Sequence, residues 1–202
     1  MMSHPAAPLM IYGDAISGNC LKVKFVADAL GIAYRWIETS VLEKKTRTPE
    51  FLAINPVGQV PVVQFSDGRI LSQSNAIMLY LAEASSLIPS EPFARAQMFQ
   101  WLFWEQYSHE TAIAVLRFRS VYLKLPESEI DPSLRPRCIA VLELMDNHLA
   151  QRRYFVDEIL SLADIALVAY TRFAPQAGLA LPHHVAQWVR RVEADLNITP
   201  LD

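Results

Sequence analysis

The sequence predicts two domains of different class: an α/β domain over residues 8–84 and an all-α domain over residues 91–202. Three observations carry this. Short apolar runs that read as strands alternate with helical periodicity up to Ala84. The composition then changes across Ile88-Pro89-Ser90-Glu91-Pro92, a linker with two prolines. Beyond it no stretch reads as a strand, and apolar residues recur at helical spacing.

The elements follow in order. Leu9-Met10-Ile11-Tyr12 is a short apolar run ended by Gly13-Asp14 and reads as a strand. Cys20, Val23, Val26, Ala27 and Leu30 recur at helical spacing, and Gly31 closes that helix. Tyr34-Arg35-Trp36-Ile37-Glu38 alternates and reads as a second strand, parallel to the first because a helix separates them. Thr48 caps a short helix with Pro49 at its first position. Val62-Val63-Gln64-Phe65, Ser66-Asp67-Gly68 and Arg69-Ile70-Leu71 form a hairpin. Ser74 caps a helix running to about Ala84, which completes a βαβαββα order. In the second half, helical periodicity covers about 93–124, 133–151, 162–174 and 184–195, with prolines between or beside the segments. Ser161-Leu162-Ala163-Asp164 has the spacing of a capping box, flanked by Leu160 and Ile165 at the positions of a hydrophobic staple.

Size and charge narrow the function classes. The 202 residues are 52% hydrophobic, enough for a sizeable core. A net charge of −3 offers no electrostatic footprint for nucleic acid. No apolar run approaches the roughly 18 residues of a membrane span. The N-terminal Met1–Pro8 stretch has neither a basic nor an apolar signal region and reads as a loose tail. Cys20 and Cys138 are isolated, and His4, His109, His148, His183 and His184 lack ligand spacing, so no metal is expected. A cytoplasmic protein with reduced thiols is the expectation.

Several constellations can carry chemistry. A Val60-Pro61 bond in the cis form would turn the Val60 backbone groups outward, where they can pair with an extended peptide. A trans proline opening a strand is the plainer reading of that dipeptide alone. Gln73-Ser74 sits at a helix N-terminus, whose free N–H groups attract an anion, and Gln73 can hold an ammonium or amide. An ordinary cap explains the same residues. Ser17-Gly18-Asn19-Cys20 occupies a strand-to-helix turn, where a ligand cleft is expected in this kind of sheet. Its spacing is that of a C-x-x-C motif with serine first, so disulfide exchange is not expected. The Ser17 hydroxyl can instead donate to a bound thiolate. Cys20, on the apolar face of its helix, reads as a core thiol. Thr46 and Arg47 lie in a loop where Arg47 can pair with a carboxylate, with Lys44 and Lys45 as neighbours that could do the same. In the aromatic stripe Phe99–Tyr107 most residues must be core or interface. Trp104 and Tyr107 are the candidates for lining an apolar pocket.

Taken together, Ser17-Gly18-Asn19-Cys20-Leu21-Lys22-Val23, Thr48 through Pro61, Gln73-Ser74-Asn75-Ala76-Ile77 and Ser161-Leu162-Ala163-Asp164-Ile165-Ala166-Leu167 resemble the cytosolic glutathione S-transferase superfamily. The resemblance spans about residues 9–195 and is closest to bacterial members and the serine-type classes. It implies a thioredoxin-like N-terminal domain, an all-α C-terminal domain carrying the electrophile pocket, and a homodimer. It also implies glutathione as co-substrate and a hydrophobic electrophilic small molecule as its partner in a detoxification reaction. Ser17 matches the serine that hydrogen-bonds the glutathione sulfur, with Asn19 the next candidate. Val60, before Pro61, matches the backbone partner of the cysteinyl residue, Gln73 and Ser74 match the pair at the γ-glutamyl end, and Gln59 is counted among the glutathione-binding residues. Many relatives carry Glu at position 73. Thr46-Arg47 aligns with the loop that reaches the glycine carboxylate. The segment Tyr154–Glu158 lacks the glycine usual just before the capping box. Two rivals are a non-catalytic binding or regulatory module and a thiol-disulfide reductase, the latter requiring an exposed Cys20 with a depressed pKa.

Overall fold

The computed structural model describes residues 8–201, so the expected N-terminal tail Met1–Pro8, except for Pro8, lies outside the described residues. Among those described, no helix is long and apolar enough to cross a membrane. The chain divides into two compact units at Ser85 and Ser86.

The first unit runs β1 (Leu9–Gly13), α1 (Gly18–Ala29), β2 (Tyr34–Glu38), α2 (Pro49–Ile54), β3 (Val62–Gln64), β4 (Ile70–Ser72) and α3 (Ser74–Leu81). Its four strands form one sheet in the order β2-β1-β3-β4. β1 pairs parallel with β2, because α1 returns the chain to the starting edge, and antiparallel with β3. The hairpin β3–β4 turns at Gly68, whose φ of +84° suits a residue without a Cβ. Leu9, Ile11, Val62 and Val63 on the central strands are fully buried, with Cys20, Val23, Val26 and Ala27 of α1 and Ile77 and Met78 of α3. Each large aliphatic side chain so buried contributes about 1.5–3 kcal/mol. Edge strand β4 leaves Ile70 43% exposed.

One cap differs from the sequence reading. α3 begins at Ser74 and ends at Leu81, and its N-cap is Gln73, with φ +73°. The backbone turns sharply out of β4 at Gln73, so Ser74 becomes the first helical residue and its hydroxyl is directed elsewhere than a cap bond.

The second unit is helical. Glu91 caps α4 (Pro92–Trp104), its carboxylate accepting from the N–H groups of Phe93 (2.9 Å) and Ala94 (2.7 Å), with Pro92 at the first helical position. α4 continues through a π-helical turn (Glu105–His109) into α5 (Glu110–Arg117) and a second π-helical turn (Phe118–Tyr122). α6 (Leu134–Leu149), α7 (Leu162–Thr171) and α8 (His183–Asp195) follow. All ten residues of α7 are buried, and its polar members Asp164 and Thr171 are hydrogen-bonded. Ser161 and Asp164 close the capping box read from the sequence. The turn before it does without glycine because Asp157 takes the left-handed conformation (φ +54°), which aspartate tolerates better than most residues. Trp101, Phe155 and Trp188 pack edge to face, with ring centroids 4.7–5.0 Å apart. The aromatic stripe divides: Trp101 and Leu102 are core, whereas Phe103 and Tyr107 are 72% and 86% exposed.

Candidate functional site

The register of the sheet brings three of the sequence-predicted segments to one end of it. Tyr12 is opposite Val62, and Val62 is opposite Ser72. The chain beyond Tyr12 (Gly13 to Cys20), the chain before Val62 (Gln59 to Pro61) and the chain after Ser72 (Gln73 and Ser74) therefore emerge at the same end. The segment after β2 leaves there too, since Gly13 pairs with Glu38.

Ser17 sits at the start of α1 as its N-cap, half-buried. Its Oγ accepts from the Cys20 N–H at 3.4 Å, and its own N–H donates to the Asp14 carbonyl at 3.0 Å. Asp14 pins this turn. Its buried carboxylate accepts from the Ile16 N–H (3.1 Å) and from the Val41 N–H (2.7 Å), tying the turn to the chain beyond β2. Glu38 adds a third anchor by accepting from the Ala15 N–H at 3.2 Å. Cys20 is fully buried, and its burial pushes the thiol up to about 12; hydrogen bonds from the Asp14 backbone and the Ser17 side chain lean the other way and are weaker. An inert buried thiol removes the reductase reading, which needed an exposed thiolate.

Asn19 joins α1 to α3. Its Oδ1 accepts from Lys22 Nζ (2.8 Å) and from the Ser74 hydroxyl (3.1 Å). Lys22 is fully buried, Ser74 is 5% exposed and Asn19 is half-buried. With its proton given to Asn19, the Ser74 oxygen keeps only acceptor capacity. Gln73, beside it, is exposed. Sequence reasoning missed Lys22 and Asp14. The signal for Lys22 was available: it follows Asn19 by three residues, a facing pair on a helix.

The Val60-Pro61 bond is cis. Asn55 shapes the loop before it, donating from Nδ2 to the Gln59 carbonyl (2.8 Å) and accepting from the Val57 N–H (3.3 Å). Arg47 Nη1 donates to the Val57 carbonyl at 3.3 Å, which joins its loop to this one. Gly58 permits that approach: at φ +66°, a Cβ there would run into the Arg47 guanidinium and crowd the Thr46 carbonyl at 3.0 Å. Arg47 is exposed and Thr46 buried. In the helical unit, Trp104 is half-buried against Trp101 (5.2 Å) and His109 (6.0 Å), whereas Tyr107 presents its ring to solvent.

Comparisons with known proteins agree with this architecture. A family model of the glutathione S-transferase N-terminal domain matches residues 16–84, and one of the C-terminal domain matches residues 120–195. The crystal structure of a glutathione S-transferase from Pseudomonas fluorescens Pf-5 superposes with a TM-score of 0.89 at 42% identity, over 93% of this chain and 96% of that one. Glutathione S-transferase 3 of Zea mays is 28% identical over 197 residues, 90% of this chain and 88% of its own length. Elongation factor 1-gamma of Prunus avium is 31% identical over 164 residues, 78% of this chain and 38% of its own length. The α/β unit with its mixed four-stranded sheet, the helical unit and these similarities together make the chain a member of the cytosolic glutathione S-transferase superfamily.

Proposed function

We propose that this chain is a glutathione S-transferase of the EC 2.5.1.18 type, of the bacterial serine-type kind, working in the cytoplasm. What supports the reading is the convergence of Ser17, Val60 and Gln73-Ser74 at one end of the sheet. Residues 8–84 bind glutathione in extended form. Its cysteinyl backbone pairs with Val60, in the loop shaped by Gln59 and Pro61, and Thr46 and Arg47 serve the glycine carboxylate. The γ-glutamyl carboxylate takes the N–H groups at the start of α3, and its ammonium donates to the Ser74 oxygen and to Gln73. Gln73 holds a φ of +73°, a conformation that costs a non-glycine residue about 1–3 kcal/mol and concentrates at ligand clamps. Ser17 donates to the sulfur and favours its thiolate, with Asn19 as organiser of the neighbouring subsite.

The thiolate attacks a hydrophobic electrophile carried by the helical unit, residues 91–202, with Trp104 and Tyr107 as its first apolar contacts. A homodimer belongs to the same reading. Phe93 and Phe103, 70% and 72% exposed on α4, are apolar surface that such an interface would cover.

The test is a pH titration of thiolate ultraviolet absorbance with glutathione bound. The expected pKa lies one to two units below the ordinary thiol value of about 8.5. Binding without a shift would make the protein a carrier, and absence of binding would favour the non-catalytic module, a reading that the similarity to elongation factor 1-gamma keeps in play.

Lys22→Met probes the contact beneath Ser74. Without the ammonium, Asn19 loses a donor that orients it, and Ser74 loses its fixed acceptor. Glutathione affinity is expected to fall about tenfold, the cost of a charged hydrogen bond. Cysteinylglycine, which lacks the γ-glutamyl group, should bind wild type and variant alike. Equal losses for both ligands would show that Lys22 supports only the fold.

A further inference from the structure

The helical unit contains a cavity of about 330 Å³ that the transferase reading does not use. His184, Gln187 and Arg191 reach it from α8, spaced three and seven residues along one helix face. Arg152 and Arg153 reach it from the chain after α6, and Glu158 is the one carboxylate in its lining. Among the described residues none of the three guanidiniums has a carboxylate within ion-pair distance. They are held in other ways. Arg152 Nη1 donates to the His148 carbonyl (3.2 Å) and Arg191 Nη1 to the Arg153 carbonyl (2.5 Å). Arg153 and Arg191 each stand 5.8 Å from the centre of the Tyr154 ring. Each guanidinium carries five N–H donors, and these contacts use few of them.

Three cations gathered around one concavity repel each other, in a chain whose net charge is −3. The hydrogen bonds and ring contacts hold the arginines in place but leave their charges uncompensated, and an anion would supply that compensation. Planar guanidinium forks match the oxygens of a tetrahedral oxyanion, and the polar lining does not suit an apolar guest. The volume falls at the lower end of small-molecule sites, about 300–1,000 Å³, and exceeds what a single orthophosphate fills. We propose that this cavity binds a phosphorylated small molecule with at least two negative charges, a diphosphate group being the minimal fit.

Isothermal titration of the full chain with pyrophosphate and with ADP tests this. Saturable binding is expected, weakening as salt is raised. Arg191→Gln and Arg152→Gln should each lower affinity at least about tenfold, as loss of a charged hydrogen bond does. Arg190→Gln, next to Arg191 but outside the lining, should leave it unchanged, and thermal melting checks that every variant is folded. Tighter binding of ADP than of pyrophosphate would identify a phosphate ester as the ligand, and equal binding an inorganic diphosphate. The proposal is overturned if neither probe saturates the protein, if both arginine variants bind as the wild type does, or if Arg190→Gln weakens binding as much as they do.

Discussion

Ser17→Ala is expected to return the bound glutathione thiol to a pKa near 8.5 and to lower turnover at neutral pH about ten- to a hundredfold. The hydroxyl is the group at the α1 N-terminus proposed to donate to the sulfur, and a hydrogen bond that exists only to the charged form acts directly on that equilibrium. The same oxygen caps α1 by accepting from the Cys20 N–H, so the variant also loses about 1 kcal/mol of helix stability. The two losses separate by pH. If Ser17 acts on the thiolate, raising the pH toward 9 restores most of the variant's rate, because the thiolate then forms unaided. If only the turn is damaged, the rate deficit is the same at every pH. A variant as fast as wild type at pH 7 would refute the role outright.

Asp164→Ala is expected to cost about 3–5 kcal/mol of stability at pH 7. The fully buried carboxylate accepts from four donors: the Phe155 N–H (2.9 Å), the Ser161 N–H (3.0 Å), the Ser161 hydroxyl (2.9 Å) and Trp188 Nε1–H (2.9 Å). Burial pushes this carboxyl up to about 6, while the four donors lean the other way, and a site made only of donors suits the carboxylate. Alanine strands all four donors in a dry site. Asp164→Asn is the sharper test. The amide matches the carboxylate in shape, yet its NH₂ must face two donors, so a loss of about 2–4 kcal/mol is expected despite the isosteric change. Thermal or urea unfolding checks both. An asparagine variant as stable as wild type would mean that the donors readily find other partners.

Much of the fold was legible because local chemistry and periodicity agreed. The strand–helix alternation to residue 84, the Thr48-Pro49 helix start and the Ser161–Asp164 capping box all follow from residue types at fixed spacing. The misses share a cause, which is that they depend on through-space partners. Serine at position 74 looks like a cap, but the left-handed φ of Gln73 moves the helix start by one residue, and nothing in side-chain type announces that. Asp157 does the work of a glycine. Helical periodicity marks Phe99–Tyr107 as apolar but does not say which faces meet the core, so Phe103 and Trp101 read alike and are placed oppositely. At the candidate site, Ser17, Val60 and Gln73-Ser74 could be picked out one by one. Lys22 stood at a legible helical spacing from Asn19, but the Asp14 clasp, which depends on the chain beyond β2, could not be read from its neighbours.

The Asn19–Ser74 hydrogen bond joins residues 55 positions apart. A site that includes both residues has no precursor in either segment alone, and it exists only when the sheet between them has closed. Any ligand gripping both sides therefore selects the completed unit over every partly assembled one. By mass action, at a hundred times its dissociation constant such a ligand would add about 2.7 kcal/mol to the unfolding free energy. Ligand concentration in the cell would then govern how long this domain survives unfolding and proteolysis, separately from any reaction that it catalyses.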